Sequence, residues 1–344
     1  MRVLIRGAGV AGLTAAYELA TRGADIMVVE REPAIGAGAS RLAGGMLAPF
    51  CEAESADRSV ITLGESAARW WEKTLPGLVR FEGTLVVAPP RDVAELRRFA
   101  VRTEGHAHLS ADELATLEPD LAGRFRAGLF FAHEAHVDPR RALLRLHKRL
   151  HGFGVRFLFG QTKPPTGARF DRMVDCTGMG AGETDKALRG VRGEMIILRT
   201  RDVALTRPVR LLHPRIPVYL VPRGDGCFMV GATMIENDAD GPITARSAME
   251  LLNAAYGLHP AFGEAEIIET GAGIRPAYPD NLPRVQEDGA EISINGFYRH
   301  GFLFAPAMAR RAADFIFGKQ ATRELHHETF DKRPSPAGVV RDAR

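Results

Sequence analysis

Residues 3–30 read VLIRGAGVAGLTAAYELATRGADIMVVE, a short apolar run, a glycine-rich turn, an amphipathic stretch stopped by Gly23, and a second apolar run closing on Glu30. This is the pattern of a βαβ unit that holds a dinucleotide. Gly7 permits the tight turn out of the first strand, Gly9 lets backbone approach a pyrophosphate with no Cβ in the way, and Gly12 lets the helix pack close on the strands. The phosphates are expected over the helix N-terminus at Val10 and Ala11, where unpaired N–H groups and the positive end of the macrodipole favour negative charge. Glu30 lies 18 positions after Gly12, at the end of the second strand, placed to accept the hydroxyls of an adenosine ribose, with Arg31 beside it. The fingerprint alone does not separate FAD from NAD.

The chain has 344 residues, more than one hydrophobic core usually organises, so two lobes are expected. With 45% hydrophobic and 25% charged residues it has the composition of an ordinary globular protein. A net charge of +3, evenly spread, points to neither nucleic acid nor an anionic membrane as partner. Cys51, Cys176 and Cys227 are odd in number, far apart and without CxxC spacing, which argues against a disulfide framework and against zinc, and no metal site is expected. Met1 runs directly into the first strand and no apolar run approaches about 18 residues, so neither export nor a membrane span is expected and the cytoplasm is the expected compartment.

The β and α alternation does not continue as a regular series. Residues 58–75 read as helical, 83–90 as strand and 91–104 as helix; Ser110 with Glu113 forms a capping box for a short helix ending before Pro119. Residues 127–132 read as strand, Asp138 and Pro139 open a helix running to about Leu150, and strands follow at VRFLFG and at 172–178. From Gly190 to Thr233, β-rich runs separated by Gly, Pro and Asp suggest an antiparallel sheet. A helix over 244–256, strands over 265–274 and 290–296, and a helix from Ala305 to Phe317 complete the reading. One lobe is therefore assembled from the separated segments 1–55, 136–185 and 265–330, the other from 56–135 and 186–264, with 331–344 a disordered tail. Trp70 and Trp71 share a helical stretch on which one is expected to be buried and the other to shield.

The small, flexible segment GASRLAGGMLAPFCEAE (38–54) suits backbone lying against a flat ring system and its diphosphate, and it contributes Ser40, Ala43, Gly44, Gly45 and Met46 to the expected cofactor contacts. A second glycine-bearing strand end, MVDCTGMG (173–180), brings Thr177 and Gly178 and tips the reading to FAD, which must be gripped at more than its ADP end.

The segments AGGMLAP (43–49), HVDPRRALL (136–144), VRGEMIILR (191–199), YLVPRGDG (219–226), VGATMIE (230–236), GIRPAYPDNLP (273–283) and NGFYRHGFLFAPAMA (295–309) resemble, in order from Met1 to about Phe317, the FAD-dependent glycine oxidases of the D-amino acid oxidase superfamily, the branch linked to thiamine biosynthesis. The resemblance implies an α/β (α+β) fold, a glutathione-reductase-like FAD-binding domain with an inserted antiparallel-sheet substrate domain. It implies that Arg275 pairs with a substrate carboxylate through its planar fork, that Tyr219 is a second carboxylate donor, that Arg299 lies near flavin and substrate, and that Met234 lines the substrate pocket. It further implies cofactor contacts from His300, Gly301, Phe302 and Leu303, His300 serving as a turn residue and not as an obligatory base. Ile216 and Pro217 occupy the approach to Tyr219.

The activity implied is oxidation of glycine by hydride transfer to flavin N5, giving iminoacetate or glyoxylate, ammonia and H₂O₂, with O₂ or another acceptor reoxidising the flavin. The other readings are a D-amino acid or sarcosine oxidase or dehydrogenase of the same superfamily, and a flavin-binding protein without turnover; whether the chain forms a homo-oligomer stays open. No cysteine follows Cys227 and the first histidine is His106, so the tether residues used by covalent flavoenzymes are missing. Acid precipitation is accordingly expected to release intact FAD, and flavin retained in the pellet would overturn the noncovalent expectation. Glu30→Ala should weaken FAD retention, measured by spectral titration; unchanged retention would place the adenosine elsewhere.

Overall fold

A computed structural model describes residues 1–212 and 218–318. The expected disordered tail, 331–344, and the end of the expected 265–330 segment lie outside the described residues, as do Ile216 and Pro217.

Strand β1 (Arg2–Arg6), helix α1 (Val10–Ala20) and strand β2 (Asp25–Glu30) form the expected unit. Gly7 takes φ +97°, open to glycine, and a Cβ on Gly12 would run into the Gly7 carbonyl oxygen, so the turn from β1 into α1 can close only on these two glycines. The chain continues through β3 (Met46–Leu47), α2 (Pro49–Glu52), α3 (Ser59–Gly64) and α4 (Ala67–Thr74). Next come β4 (Thr84–Val87), α5 (Val93–Arg102), β5 (Ala107–Ser110), α6 (Ala111–Leu117) and β6 (Ala127–Phe131). The Ser110–Glu113 capping box opens α6. After β7 (Ala135–His136), Asp138 accepts from the Arg140 and Arg141 N–H groups to start α7 (Pro139–Gly152), with Pro139 in the first turn where no N–H is needed.

Then follow β8 (Arg156–Phe159), β9 (Arg172–Asp175), β10 (Arg189–Arg199), β11 (Val209–Leu211), β12 (Val218–Gly224) and β13 (Cys227–Gly231). The last elements are α8 (Ala245–Leu258), β14 (Glu266–Ala277), β15 (Arg284–Asp288), β16 (Glu291–Asn295) and α9 (Gly301–Ile316).

Among the described residues these build a six-stranded sheet ordered β15-β16-β9-β1-β2-β8, an eight-stranded sheet ordered β14-β10-β13-β12-β11-β4-β6-β5, and a two-stranded ribbon of β3 and β7. In the first sheet β1 is parallel to β2 on one side and to β9 on the other, so the connections leave in opposite directions and a crevice opens at the carboxyl ends of the three strands. The second sheet is antiparallel apart from the β11–β4 pair.

Paired residues share a face. Leu129, Val86, Arg210, Tyr219, Gly231, Met195 and Gly271 therefore form one row across the eight-stranded sheet on the side toward the first sheet. The alternate residues Leu85, Leu220, Val230 and Ile196 face the other way and pack with Leu251, Ala255 and Leu258 of α8 in a separate core.

Four expectations need correction. β14 falls within the segment 265–330 yet joins the eight-stranded sheet, because its run from Glu266 to Ala277 pairs with β10 along the whole of that strand. Residues 59–79 fall within 56–135 yet pack in the core of the first sheet. Trp70 and Trp71 are both buried, the Trp70 indole donating to Glu18 Oε1 at 2.6 Å and that of Trp71 to the Phe302 carbonyl at 2.9 Å. Helix α9 begins at Gly301 instead of Ala305; Pro306 lies inside it, and the Phe302 carbonyl, to which its missing N–H would have bonded, accepts the Trp71 indole instead. The hairpin strand β15 was not anticipated.

Between β6 and β7, Glu134 is buried and accepts the Cys51 N–H through Oε1 at 2.7 Å, while Oε2 has no partner among the described residues. Burial pushes its carboxyl up to about 8. The folded chain thus holds a proton there that the unfolded chain gives up near the ordinary carboxylate range, so the stabilisation is full below that range and is lost as pH rises toward 8. Glu134→Gln, which keeps the acceptor and cannot ionise, should raise Tm relative to the parent much more at about pH 9 than at about pH 5. Equal differences at the two pH values would show that Glu134 is not protonated in the fold.

Candidate active site

The crevice at β1 is lined by groups that suit a dinucleotide. A Cβ on Gly7 would collide with the Cys176 carbonyl at the end of β9, so both strand ends can lie this close only with glycine present. Glu30 is held by the Ala8 N–H on Oε2 at 2.6 Å and by the Glu32 N–H on Oε1 at 3.0 Å. These bonds aim its carboxylate while each oxygen keeps a free lone pair. Arg31 pairs with Glu32 at 3.1 Å on the surface. At the start of α1, the Val10 N–H donates to Ser40 Oγ at 3.1 Å, Ser40 standing on a 3₁₀ turn, Ala39–Leu42, whose hydroxyl also lies against Gly9. The N–H groups of Ala11 and Gly12 have no acceptor among the described residues, as the first turn of a helix dictates.

Asp175 organises the far wall. It pairs with Arg6 at 3.1 Å and accepts from the Thr177 N–H at 2.9 Å and its hydroxyl at 2.6 Å, and Asn295 Nδ2 donates to the Gly178 carbonyl at 3.0 Å. A second helix N-terminus is provided by α9. His300 is its cap residue and makes no side-chain capping bond; Gly301, Phe302 and Leu303 form the first turn, fixed by Trp71 on Phe302 and by Leu303 against Gly64. A carboxylate for the ribose, two glycine-cleared strand ends and two helix N-termini are what an extended, anionic dinucleotide with a second ring system requires. FAD fits these residues.

The loop 43–47 passes from this crevice to the eight-stranded sheet. A Cβ on Gly44 would strike the Tyr219 ring and one on Gly45 (φ +72°) the Val137 carbonyl. Arg223 binds the loop from β12, donating from Nη1 to Val137 O at 3.0 Å and from Nη2 to Ala43 O and Gly44 O, both at 2.9 Å. Burial lowers its pKa to about 10. Met46 packs with Met195 and Met229 on the same sheet face.

Arg275, on β14, lies over Gly193 of β10, where any Cβ would occupy the place of its guanidinium. Its Nη1 donates to the Thr233 carbonyl at 3.0 Å, and among the described residues no carboxylate pairs with it. Desolvation lowers its pKa, and the nearby charge of Arg299 acts in the same direction. Tyr219 shares its sheet face; burial raises the phenol's pKa, while the charge of Arg275 works against that rise. The structure therefore brings Arg275 and Tyr219 together beside the loop 43–47.

Arg299 is placed differently. Its Nη2 is ion-paired with the buried carboxylate of Glu52 and also donates to Ser55 Oγ at 3.2 Å, and its Nη1 meets Met234 Sδ at 3.3 Å. Burial by itself would raise the Glu52 carboxyl, but Arg299, Arg210 and His300 together bring it down to about 2. His300 is buried with Nδ1 3.9 Å from Glu52, and burial lowers its pKa to about 3, so the imidazole is neutral at ordinary pH. Met234, 40% exposed, stands with Tyr298, Arg299, His300 and Arg210 around a cavity of about 410 Å³. Arg275 and Tyr219 lie outside that lining, on the adjoining sheet face.

Glu52, Arg210, Arg223 and Gly193 were not singled out from sequence. For Arg210 a signal existed: it is the one charged residue in the apolar run VRLLH, and a buried charge in a strand must find a partner. Among the described residues no cluster of three or more His, Cys, Asp or Glu could hold a metal, and no helix is long and apolar enough to cross a membrane.

Residues 2–315 match the family model described as FAD dependent oxidoreductase. The chain is 57% identical over 324 residues to a Rhizobium etli protein provisionally named thiamine biosynthesis oxidoreductase ThiO, covering 94% of this chain and 99% of that one. It is 24% identical over 365 residues to the glycine oxidase of Bacillus subtilis, covering 96% and 97%. Its fold superposes on the crystal structure of glycine oxidase from Geobacillus kaustophilus with a TM-score of 0.79 at 22% identity, covering 97% of this chain and 100% of that one. With the crevice, the two helix N-termini and the family match all running through one continuous fold, the chain belongs to the FAD dependent oxidoreductase family.

Proposed function

We propose that the protein oxidises glycine and that its product feeds formation of the thiazole of thiamine. The observation that carries this reading is Arg275: a half-buried guanidinium on the Tyr219 face of the sheet, with no carboxylate partner among the described residues and next to a phenol, awaits a small carboxylate. The names of the relatives, a thiamine biosynthesis oxidoreductase and a glycine oxidase, support glycine and the pathway.

FAD, when bound, supplies the hydride acceptor. Arg275 holds the substrate carboxylate with two nitrogens of its fork and Tyr219 donates from its hydroxyl, so the position of Cα follows from two anchors on adjacent parts of one rigid sheet. Gly193 and Gly44 leave the space in which these two side chains stand. His300 is neutral and buried against Glu52, and neither takes a proton from the substrate; glycine reacts as its neutral amine. The imine product leaves to be hydrolysed or consumed, with O₂ as the proposed acceptor.

Anaerobic mixing with glycine should bleach the flavin absorbance, with D-alanine slower. Bleaching by bulky D-amino acids with glycine and sarcosine inert would replace this reading by a D-amino acid dehydrogenase. Arg275→Ala should lower the apparent affinity for glycine by about 30-fold or more, since a carboxylate loses its charged partner. Gly193→Ala should reproduce most of that loss with FAD retention unchanged, because the added methyl displaces only the far end of the Arg275 side chain. If Gly193→Ala oxidises glycine like the parent, Arg275 is not the carboxylate anchor. Met234→Ala should narrow the kcat/KM gap between D-alanine and glycine, a gap one methyl makes worth about 1–3 kcal/mol.

A further inference from the structure

Two guanidiniums face the site, and only one has a resident counter-ion. Arg275 is unpaired among the described residues, whereas Arg299 carries the Glu52 carboxylate on Nη2. The other terminal nitrogen of Arg299 meets only a thioether, Met234 Sδ at 3.3 Å, a weak acceptor for a charged donor. Arg299 lines the cavity of about 410 Å³ and Arg275 does not, so a molecule anchored on Arg275 and extending into that cavity would bring its far end to Arg299.

The two partners of the pair differ in freedom. Glu52 ends the short helix α2, which starts at Pro49, and its other oxygen lies 3.6 Å from Arg210 Nη1. Arg210 in turn holds Glu54 at 3.2 Å. Glu52 is thus held by cations from two sides, while Arg299 is a long side chain with one ionic partner, its other contacts being the Ser55 hydroxyl and the Met234 thioether.

Resting on the reading of the protein as a small amino acid oxidase, we propose that Glu52 determines substrate charge selectivity: by keeping Arg299 in an ion pair, it withholds a second carboxylate-binding group from the site and disfavours amines that carry two acidic arms. A substrate with a second carboxylate can use Arg299 only by drawing it off Glu52, leaving Glu52 with Arg210 as its remaining cation. Removing the Glu52 charge makes Arg299 available without emptying its place, and Arg210 keeps Glu54.

The test is Glu52→Gln in the FAD-loaded protein. Iminodiacetate and D-aspartate should gain at least about tenfold in kcat/KM relative to glycine, the worth of one charge-assisted hydrogen bond. Calorimetric titration should show malonate gaining over acetate in Kd by a similar factor, with no turnover involved. Adding Arg299→Met to Glu52→Gln should abolish both gains. If Glu52→Gln does not fold, Glu52→Asp, one methylene short of Arg299, should show the same changes at smaller size. Unchanged ratios, or gains that persist without Arg299, would overturn the proposal. A parent protein that fails to oxidise any glycine would sink the proposed activity alone, since the malonate to acetate comparison still reads the role of Glu52.

Discussion

Two sheets that share no strand must be held in register for this site to exist, and guanidiniums join them: Arg140 at the start of α7 grips Glu269 of β14 with both terminal nitrogens, and Arg223 reaches from β12 to the crevice loop. Arg223 stands on β12 four residues from Tyr219 and on the same face, and its two terminal nitrogens take up the carbonyls of Val137, Ala43 and Gly44. The strand that positions the phenol therefore also fixes the loop that runs from the dinucleotide crevice. Its hydrogen bonds go to carbonyls and not to a carboxylate; burial lowers its pKa, with the charge of Asp138 opposing that fall. Glycines at 44 and 45 complete the joint, because the loop passes so near to Tyr219 and Val137 that no side chain fits.

The site is built on an asymmetry of charge. On one side of Met234, Glu52, Glu54, Arg210 and Arg299 neutralise one another in a network that fills the space beneath the cavity. On the other, Arg275 donates to a carbonyl, two phenols lie near it, and the charge closest to it is the like charge of Arg299. The sheet register explains why both halves sit on one surface: Arg210 pairs directly with Tyr219 across β11 and β12, and Arg275 shares parity with Gly271 and Gly273 on β14.

Local rules were legible in the chain where the cause is local. The turn through Gly7, Gly9 and Gly12, the Ser110 capping box and the Asp138–Pro139 helix start each depend on a few neighbouring residues, and each is found where the sequence places it. Long-range partners were not. Nothing within residues 266–277 says that β10 will be their neighbour, and nothing within 59–74 says that Trp70 and Trp71 will reach Glu18 and Phe302. Those choices are made by whichever apolar face is left to cover. Arg275 and Tyr219 stood out through the motifs around them, whereas Glu52 stands in a run of small residues and its importance comes from Arg210 and Arg299, 158 and 247 positions away. Pairing across such separations leaves no periodic mark.

The six-stranded sheet has a temporal consequence. β1 and α1 emerge first from a ribosome, but β1 needs β9, β9 needs β16, and α1 packs on α9, which ends at Ile316. Five strands of the eight-stranded sheet, β10 to β14, are synthesised between β9 and β16. A growing chain therefore carries an exposed glycine turn and half a crevice until almost all of it has been made, and closing that gap costs loop entropy before any contact repays it. Nascent chains that stop short of α9 lack the second helix N-terminus of the crevice, so its assembly waits on α9 packing against α1.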